Sequence, residues 1–332
     1  MPTLLILVRH ALSTNNVLEE KLKEELGDKF KERYNQEKSC DPNIALPVGE
    51  VQAEALAAVF RDILAHVPKP FLNAPVELIS STMNRALHTM VPIARELGLP
   101  VKVLPEIHEA GGCWTSVLGG QPGATPAQIE HNFPGFHCDP GVNPNGWWSK
   151  TVREKADEAD ARAERVARRL LDKTRLTDAD GHKIIVMVTH GDWMQRLLRV
   201  LITGNVSIGV DFKHLNTATT AIVLPNKEGA RTQVVWINRG EHLDHINERS
   251  NPLHDMGQDE CGNASPHPAK DQGIPEPVSP VALHRGQTWA EGLGGSGMFE
   301  VRLREVSLCE SEKPPVDPDV GCAQEPAWDD NK

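Results

Sequence analysis

Four short apolar segments, each bounded by polar residues, constrain the fold of this 332-residue chain more than any other feature. They are rich in branched side chains, as buried strands of a parallel sheet are. They cover residues 4–8, 76–80, 184–189 and 219–224. Stretches with helical periodicity separate them, at residues 50–65, 85–97, 156–173 and 193–201. Strands that alternate with helices of this length predict an α/β fold, a three-layer α/β/α sandwich around a mostly parallel central sheet.

Two regions do not follow this alternation. Residues 17–36 are highly charged and carry apolar side chains at four-residue steps, which predicts an amphipathic helix inserted after the first strand, over about residues 17–37. Residues 111–148 are rich in Gly and Pro, contain five aromatic residues and lack periodicity. A long loop of this kind in a compact domain is usually functional or mobile, so we expect a lid.

Most of the net charge of −11 lies at the end of the chain, because residues 246–332 hold 16 acidic and 7 basic side chains. We expect residues 1–246 to form the folded domain and residues 247–332 to be a disordered, acidic tail rich in Pro and Gly. Within that tail only residues 298–308 alternate apolar and polar side chains as a strand would.

Charge and cysteine usage exclude several classes of protein. An acidic chain without a basic face argues against nucleic-acid binding. The apolar run at residues 4–8 is too short to span a membrane and lacks the basic flank of a signal peptide. Six scattered cysteines without a CxxC pair do not indicate a disulfide framework. We therefore expect a cytoplasmic protein with no membrane partner.

The residues that carry chemistry follow three of the apolar segments. Arg9 and His10 end the first, Arg85 comes shortly after the second, and His190 directly follows the third. Ligands of open α/β sheets bind at the carboxyl ends of the strands. Cationic and imidazole side chains gathered at one such edge suit phosphoryl transfer.

These segments resemble, in order, the landmarks of the histidine phosphatase superfamily, in its phosphoglycerate mutase-like family. The resemblance extends over roughly residues 3–245. It is carried by LVRHALSTNN, LPVGEVQAEAL, ISSTMNRALHTM, VMVTHGDW, NTATTAIVL and INRGEHL. Each motif alone is weak, but their ordered set is specific. The resemblance implies a phosphoglycerate mutase-like fold and a phosphatase that forms a phosphohistidine.

The resemblance assigns roles to individual residues. A neutral imidazole of His10 would attack phosphorus and form a covalent intermediate. Arg9 and Arg85 would hold the phosphate, since a guanidinium fork matches phosphate oxygens, and His190 and Asn16 would add donors. With this much fixed positive charge, we expect neither a metal nor a cofactor.

A general acid is also required, and the resemblance implies a Glu after the third strand in an L-x-E setting. Two candidates overlap here, Glu106 and Glu109. We favour Glu109 because Gly111-Gly112 and Trp114 follow it closely, and we keep Glu106 as the alternative, since only geometry identifies a general acid.

The sequence departs from the family pattern at two positions. Ala11 stands where the family usually has Gly, and Leu12 where many members have Glu. Neither change removes a catalytic group.

Three functions remain open at this level. We favour hydrolysis of a small phosphorylated substrate, and the inserted helix would lean over the active-site mouth and narrow the choice of substrate. A mutase would need the same five residues, Arg9, His10, Arg85, Glu109 and His190, with a lid that excludes water. A catalytically silent binding module, acting through the tail, is disfavoured because all five residues are present. The sequence does not indicate the oligomeric state.

Overall fold

The computed structural model describes residues 2–175, 181–227 and 229–244. The predicted acidic tail, including the alternating segment at residues 298–308, lies outside the described residues. Within the described ranges, no helix combines the length and the apolar character needed to cross a membrane.

A seven-stranded sheet forms the centre of the fold. Within the described residues the strands are β1 (Thr3–Arg9), β2 (Val76–Ser81), β3 (Val101–Leu104), β4 (Trp114–Thr115), β5 (Gly119–Gly120), β6 (Phe136–Cys138), β7 (Lys183–Thr189), β8 (Thr219–Leu224) and β9 (Gln233–Arg239). The hairpin β4–β5 stands apart from the sheet, whose order is β6-β3-β2-β7-β1-β8-β9. Five neighbouring strands, from β6 to β1, are parallel, so the predicted mostly parallel sheet is confirmed.

The direction of β8 differs from the prediction. Its sequence resembles that of β1, yet it runs antiparallel to β1 and pairs with the antiparallel β9. Nearly every side chain of β8 is buried, which accounts for its apolar composition. An apolar run therefore reports burial on both faces of a sheet and not the direction of the strand.

Helices cover both faces of the sheet. They are α1 (Thr14–Leu26), α2 (Phe30–Glu37), α3 (Val48–Ala65), α4 (Asn84–Leu97), α5 (Pro126–Asn132), α6 (Ala156–Arg175) and α7 (Gly191–Thr203). Side chains of β1 alternate between two cores, because successive residues of a strand point to opposite faces. Leu4, Ile6 and Val8 pack with α3 and α4, whereas Leu5 and Leu7 pack with α6 and α7. The expected three-layer sandwich is confirmed.

The insertion after β1 is two helices, and the prediction of a single helix over residues 17–37 was wrong. α1 begins at Thr14, because Ser13 and Asn16 form a capping box that satisfies the first backbone donors. It ends at Gly27, whose φ of +54° suits glycine. Of the evenly spaced apolar residues, only Leu22 is buried, so their spacing did not reveal the break.

The ends of this insertion are held together by one side chain. Asn15 donates from Nδ2 to the carbonyl of Ser39 over 2.8 Å, and its Oδ1 accepts the N–H of Ser39 over 2.9 Å. The chain therefore leaves the domain and returns to it at neighbouring points.

The region predicted as an aperiodic lid, residues 111–148, contains more regular structure than expected. It includes the β4–β5 hairpin, helix α5 and strand β6, which pairs with β3 at the edge of the main sheet. Trp147 and Trp148 are buried against Met83 and Cys113. Strands of two or three residues and a seven-residue helix are too short to give a periodic signal, so the sequence did not predict them.

Candidate active site

Three adjacent strands bring the predicted residues to one edge of the sheet. β7 lies between β1 and β2, and Arg9 is in register with Thr189. His10 and His190 follow these two strands, and Arg85 lies in the first turn of α4, just after β2. The ring centroids of His10 and His190 are 5.2 Å apart. The structure therefore brings together side chains that are 180 residues apart in sequence.

The backbone around His10 is fixed by hydrogen bonds from three directions. Its own N–H donates to the carbonyl of Thr189 over 2.9 Å, and its carbonyl accepts the amide of Asn216 over 2.8 Å. The next N–H, of Ala11, donates to the hydroxyl of Thr89 over 2.9 Å. The side chain of His10 is consequently held in place, with only 3% of the residue exposed.

The imidazole of His10 is held in the form that a nucleophile needs. Its Nδ1 lies 2.7 Å from the carbonyl oxygen of Ala11, which can only accept, so Nδ1 carries the proton and Nε2 keeps its lone pair. Burial, followed by the positive charges of Arg85 and Arg9, holds the pKa of His10 well below its ordinary value. His10 is therefore neutral, with Nε2 available for attack.

The imidazole of His190 is oriented by Ser81. Ser81 belongs to the motif ISSTMNRALHTM, but the sequence predicted no role for it. Nε2 of His190 lies 2.8 Å from the Ser81 hydroxyl, and that hydroxyl accepts the N–H of Met83 over 3.3 Å. A hydroxyl that donates its proton to Nε2 leaves the imidazole proton on Nδ1. Burial, with the charge of Arg85, also holds the pKa of His190 well below its ordinary value. A phosphate dianion would raise this pKa.

Ten buried side-chain polar atoms lack a partner among the described residues, and three of them belong to side chains predicted to bind phosphate. These three are Nε of Arg9, Nη1 of Arg85 and Nδ1 of His190. Arg9 is anchored by a hydrogen bond from Nη1 to the carbonyl of His214 over 2.6 Å. A Cβ atom at Gly191 would lie 3.3 Å from Nε of Arg9, so glycine there leaves room for the guanidinium. Buried polar groups without partners are costly, so each of the three has a donor to offer a ligand.

Glu109 lies beside this group of donors. Its Oε1 accepts the N–H groups of Ala110 and Trp193, each over 2.9 Å. Burial raises the pKa of Glu109, although the charge of Arg85 opposes the shift. The charge of Glu109 in turn acts on both Arg9 and Arg85. A carboxyl group with a raised pKa next to a phosphate site is suited to donate a proton.

The alternative acid, Glu106, lies elsewhere. Its Oε2 is 2.8 Å from Nη2 of Arg169 in an exposed ion pair. The geometry thus separates the glutamate that the sequence favoured from the alternative.

Asn16 is engaged in capping α1. Its Oδ1 accepts the N–H of Ser13 over 3.1 Å and the hydroxyl of Ser13 over 2.8 Å. Both of these contacts use the amide oxygen of Asn16. The sequence analysis did not anticipate the capping role.

Two residues near the site, one on the insertion and one just after it, were missed from sequence. Burial raises the pKa of Tyr34 to about 12, and the charges of Glu19, Arg85 and Glu109 also act on its phenol. Asp41 accepts the N–H of Asn84 over 2.9 Å, and burial raises its pKa to about 6. Both positions lie outside the family motifs, so no sequence signal marked either residue.

Metal binding has no candidate site in the part of the chain that the structure describes, where no group of three His, Cys, Asp or Glu side chains is arranged to hold an ion. Around His10 the structure places the guanidinium groups of Arg9 and Arg85, the imidazole of His190 and the carboxyl group of Glu109, whose pKa is raised by burial.

Comparison with solved structures found similar folds at low identity. A mycobacterial glucosyl-3-phosphoglycerate phosphatase is 20% identical, with 72% of this chain and 99% of that chain covered and a TM-score of 0.41. A putative α-ribazole-5′-P phosphatase from Escherichia coli is 18% identical, with 71% and 97% covered and a TM-score of 0.44. A phosphoserine phosphatase variant from Entamoeba histolytica, in complex with phosphoserine, is 19% identical, with 73% and 99% covered and a TM-score of 0.42.

The match to a family model identifies the family of this chain. A search of curated proteins found no significant match. The family model of the histidine phosphatase superfamily (branch 1) matches residues 5–239, which include each of the side chains around His10. The chain belongs to the histidine phosphatase superfamily.

Proposed function

We propose that the protein is a phosphomonoester hydrolase that works through a phosphohistidine on His10, with Glu109 as general acid and base. The observation that carries this proposal is the neutral His10 beside three buried, unpartnered donors of Arg9, Arg85 and His190. A site with this arrangement binds an anion and offers it a nucleophile.

In the first step Nε2 of His10 attacks phosphorus. The N–P bond forms as the P–O bond to the alcohol breaks, and Glu109 gives its proton to the departing oxygen. The raised pKa of Glu109 supports this role, because the carboxyl group must be protonated before the step.

In the second step Glu109, now a carboxylate, takes a proton from water. The water oxygen attacks phosphorus, the N–P bond breaks, and inorganic phosphate leaves. His10 and protonated Glu109 are regenerated, so the cycle consumes one water and needs no other reactant.

The cationic donors stabilise charge that builds on the equatorial phosphate oxygens during both steps. Removal of one such donor costs about 3 kcal/mol of barrier, or on the order of 10²-fold in kcat. Asn16 adds a neutral donor through its amide nitrogen.

The test is to trap the intermediate. Protein mixed rapidly with a ³²P-labelled ester and quenched in alkali should carry acid-labile label, with close to one phosphoryl group per chain. His10→Ala should carry none and should lose turnover. His131→Ala, a change on α5 outside the site, is the matched control and should behave as wild type. Full turnover of an aryl phosphate by His10→Ala would refute the nucleophile assignment.

Product analysis separates hydrolysis from the mutase alternative. With 3-phosphoglycerate we expect free phosphate, and an isomer formed without phosphate release would replace hydrolysis by intramolecular transfer. Sugar phosphates, phosphoglycerates, nucleotides and phosphoproteins form the panel that then identifies the substrate class.

A further inference from the structure

We propose that Arg162 and Glu154 are positioning residues for Glu109, and that they act on the proton-transfer part of the reaction. This inference rests on the proposed function, because it assumes that Glu109 is the general acid. Neither residue belongs to the segments that resemble the family.

Arg162 and Glu154 form a buried, two-pronged ion pair. Arg162 lies on α6, and Glu154 lies just before that helix. Nε donates to Oε1 over 2.8 Å and Nη2 donates to Oε2 over 2.6 Å, with side-chain exposures of only 5% and 4%. Burial acts to raise the pKa of Glu154, but the hydrogen bonds and the positive charge of Arg162 hold it below its ordinary value, so the pair is ionised.

The pair forms hydrogen bonds with the backbone on both sides of Glu109. Nη1 of Arg162 donates to the carbonyl of Glu106 over 2.8 Å and to the carbonyl of His108 over 2.9 Å. Oε2 of Glu154 accepts the N–H of Gly111 over 3.2 Å. The general acid therefore lies in a short segment that is held at its start and at its end.

Arg162 also lies against the residue that holds the carboxyl group itself. Its guanidinium carbon is 5.5 Å from the ring centroid of Trp193. The backbone N–H of Trp193 donates to Oε1 of Glu109 over 2.9 Å. One side chain thus contacts both the backbone that carries Glu109 and the residue that orients its carboxyl group.

The lid packs on the same segment from the other side. The ring of His108 lies 5.3 Å from the rings of both Trp147 and Trp148. A Cβ atom at Gly112 would collide with the Trp148 ring, so only glycine permits this packing. The lid and the Arg162–Glu154 pair therefore both contact the Glu109 segment.

Packing alone does not account for an ion pair here. Replacement of a buried pair by apolar residues of similar volume is often neutral or stabilising. Hydrogen bonds to three backbone groups around one carboxylate specify its position instead, and a displacement of 1 Å at a reacting group can cost about 10²-fold in rate.

The experiment uses the dependence of rate on the leaving group. Departure of an alkoxide needs a proton, whereas 2,4-dinitrophenolate leaves without one. Arg162→Lys keeps the positive charge but lacks the fork that reaches two carbonyls and two carboxylate oxygens. We expect kcat/KM, which reports the phosphorylation step, to fall about 10²-fold for an alkyl phosphate and to change little for 2,4-dinitrophenyl phosphate. Glu109→Gln should show the same selective loss.

Arg169→Lys is the matched control, because Arg169 lies on the same helix and pairs with the exposed Glu106. It should leave both rates unchanged. If Arg162→Lys does not fold, as judged by circular dichroism and thermal melting, the double variant Arg162→Met/Glu154→Met is used, since it removes both charges together. A folded variant that loses both activities equally, or loses neither, would overturn the positioning role.

The leaving-group experiment and the trapping of the phosphohistidine together distinguish the positioning role from the proposed function. If wild type forms no phosphohistidine, the mechanism on His10 fails. If the intermediate forms and Glu109→Gln is selective while a folded Arg162 variant is not, only the positioning role fails.

Discussion

The hydroxyl of Ser81 lies 2.8 Å from Nε2 of His190, and this contact determines which imidazole nitrogen faces the anion site. With Nε2 accepting from Ser81, Nδ1 carries the proton and remains a donor without a partner among the described residues. A hydroxyl from one strand end thus sets the tautomer of an imidazole that follows another.

Loss of that hydroxyl should weaken phosphate binding. Ser81→Ala leaves His190 free to place its proton on either nitrogen, so we expect kcat/KM to fall about 10-fold, the effect of one hydrogen bond. The neighbouring Ser80→Ala is the control, because the Ser80 hydroxyl donates to a backbone carbonyl and not to an imidazole. Steady-state kinetics and inhibition by inorganic phosphate measure the effect. Equal losses in the two variants would count against the tautomer argument.

The pH dependence of kcat/KM should follow the ionisation of Glu109 and not that of His10. Burial raises the pKa of Glu109, so its protonated, active form persists to higher pH and is lost as pH rises through that value. The pKa of His10 lies well below the ordinary 6.5, so the nucleophile stays neutral as the solution becomes mildly acidic. We expect kcat/KM for an alkyl phosphate to decline on the alkaline side only, over the range from pH 5 upward.

Glu109→Gln checks this assignment, because it should remove the alkaline decline together with most of the activity. 2,4-Dinitrophenyl phosphate needs no proton for its leaving group, so its rate should lack the alkaline decline that Glu109 causes. Activity that instead rises through pH 6.5, as for an ordinary histidine, would contradict the prediction.

Asp41 should make the folded state less stable as pH rises. Burial raises its pKa to about 6 from an ordinary 3.8, so its contribution to stability is fully present below about pH 4 and is lost as pH rises through 6. Asp41→Asn keeps an oxygen to accept the N–H of Asn84 and removes the charge. We expect a gain of about 2 kcal/mol at pH 8 and none at pH 4.

Urea unfolding of the Asp41→Asn variant at the two pH values measures this difference. Asp28→Asn, on the exposed turn between α1 and α2, is the control and should change stability little at either pH. A gain of equal size at pH 4 and pH 8 would show that charge burial is not its cause.

The two helices of the insertion, which contact the lid hairpin, should influence substrate choice. Nζ of Lys38 lies 5.5 Å from the ring centroid of Tyr34 and 5.9 Å from that of Trp114 on the lid hairpin. The Ser116 hydroxyl donates to the carbonyl of Asn35 over 2.7 Å, which joins α2 to the same hairpin. Deletion of residues 18–37 should therefore alter the ranking of phosphate esters by about 10-fold or more while phosphohistidine formation on a small aryl ester persists.

Point variants sharpen this test. Tyr34→Ala removes the aromatic side chain of α2 that lies nearest the site, whereas Arg33→Ala changes only an exposed residue paired with Glu37. Rates on a panel of phosphate esters give the ranking. Unchanged relative rates in the deletion and in Tyr34→Ala would exclude a role for the insertion in selectivity.

The sequence predicted the layers of the fold and the convergence of Arg9, His10, Arg85 and His190, because parallel strands deliver their last residues to one edge of a sheet. The sequence also favoured Glu109 over Glu106, but the different surroundings of the two side chains became visible only in the structure. The roles of Arg162 and Glu154 could not be predicted in this way, since their hydrogen bonds depend on how a distant helix packs.

Local signals likewise missed the parts of the fold that depend on long-range pairing. The direction of β8 and the edge strand β6 are set by their neighbours in the sheet, not by composition. The break at Gly27 was visible as a glycine, but the regular apolar spacing on either side favoured a continuous helix.

The closure of the insertion by Asn15 and Ser39 has an evolutionary consequence. A segment whose two ends already meet can be lengthened, shortened or exchanged without pulling on β1 or on α3. A change of sequence within the insertion can accordingly leave the backbone around His10 unchanged, although the insertion joins the domain only a few residues after His10.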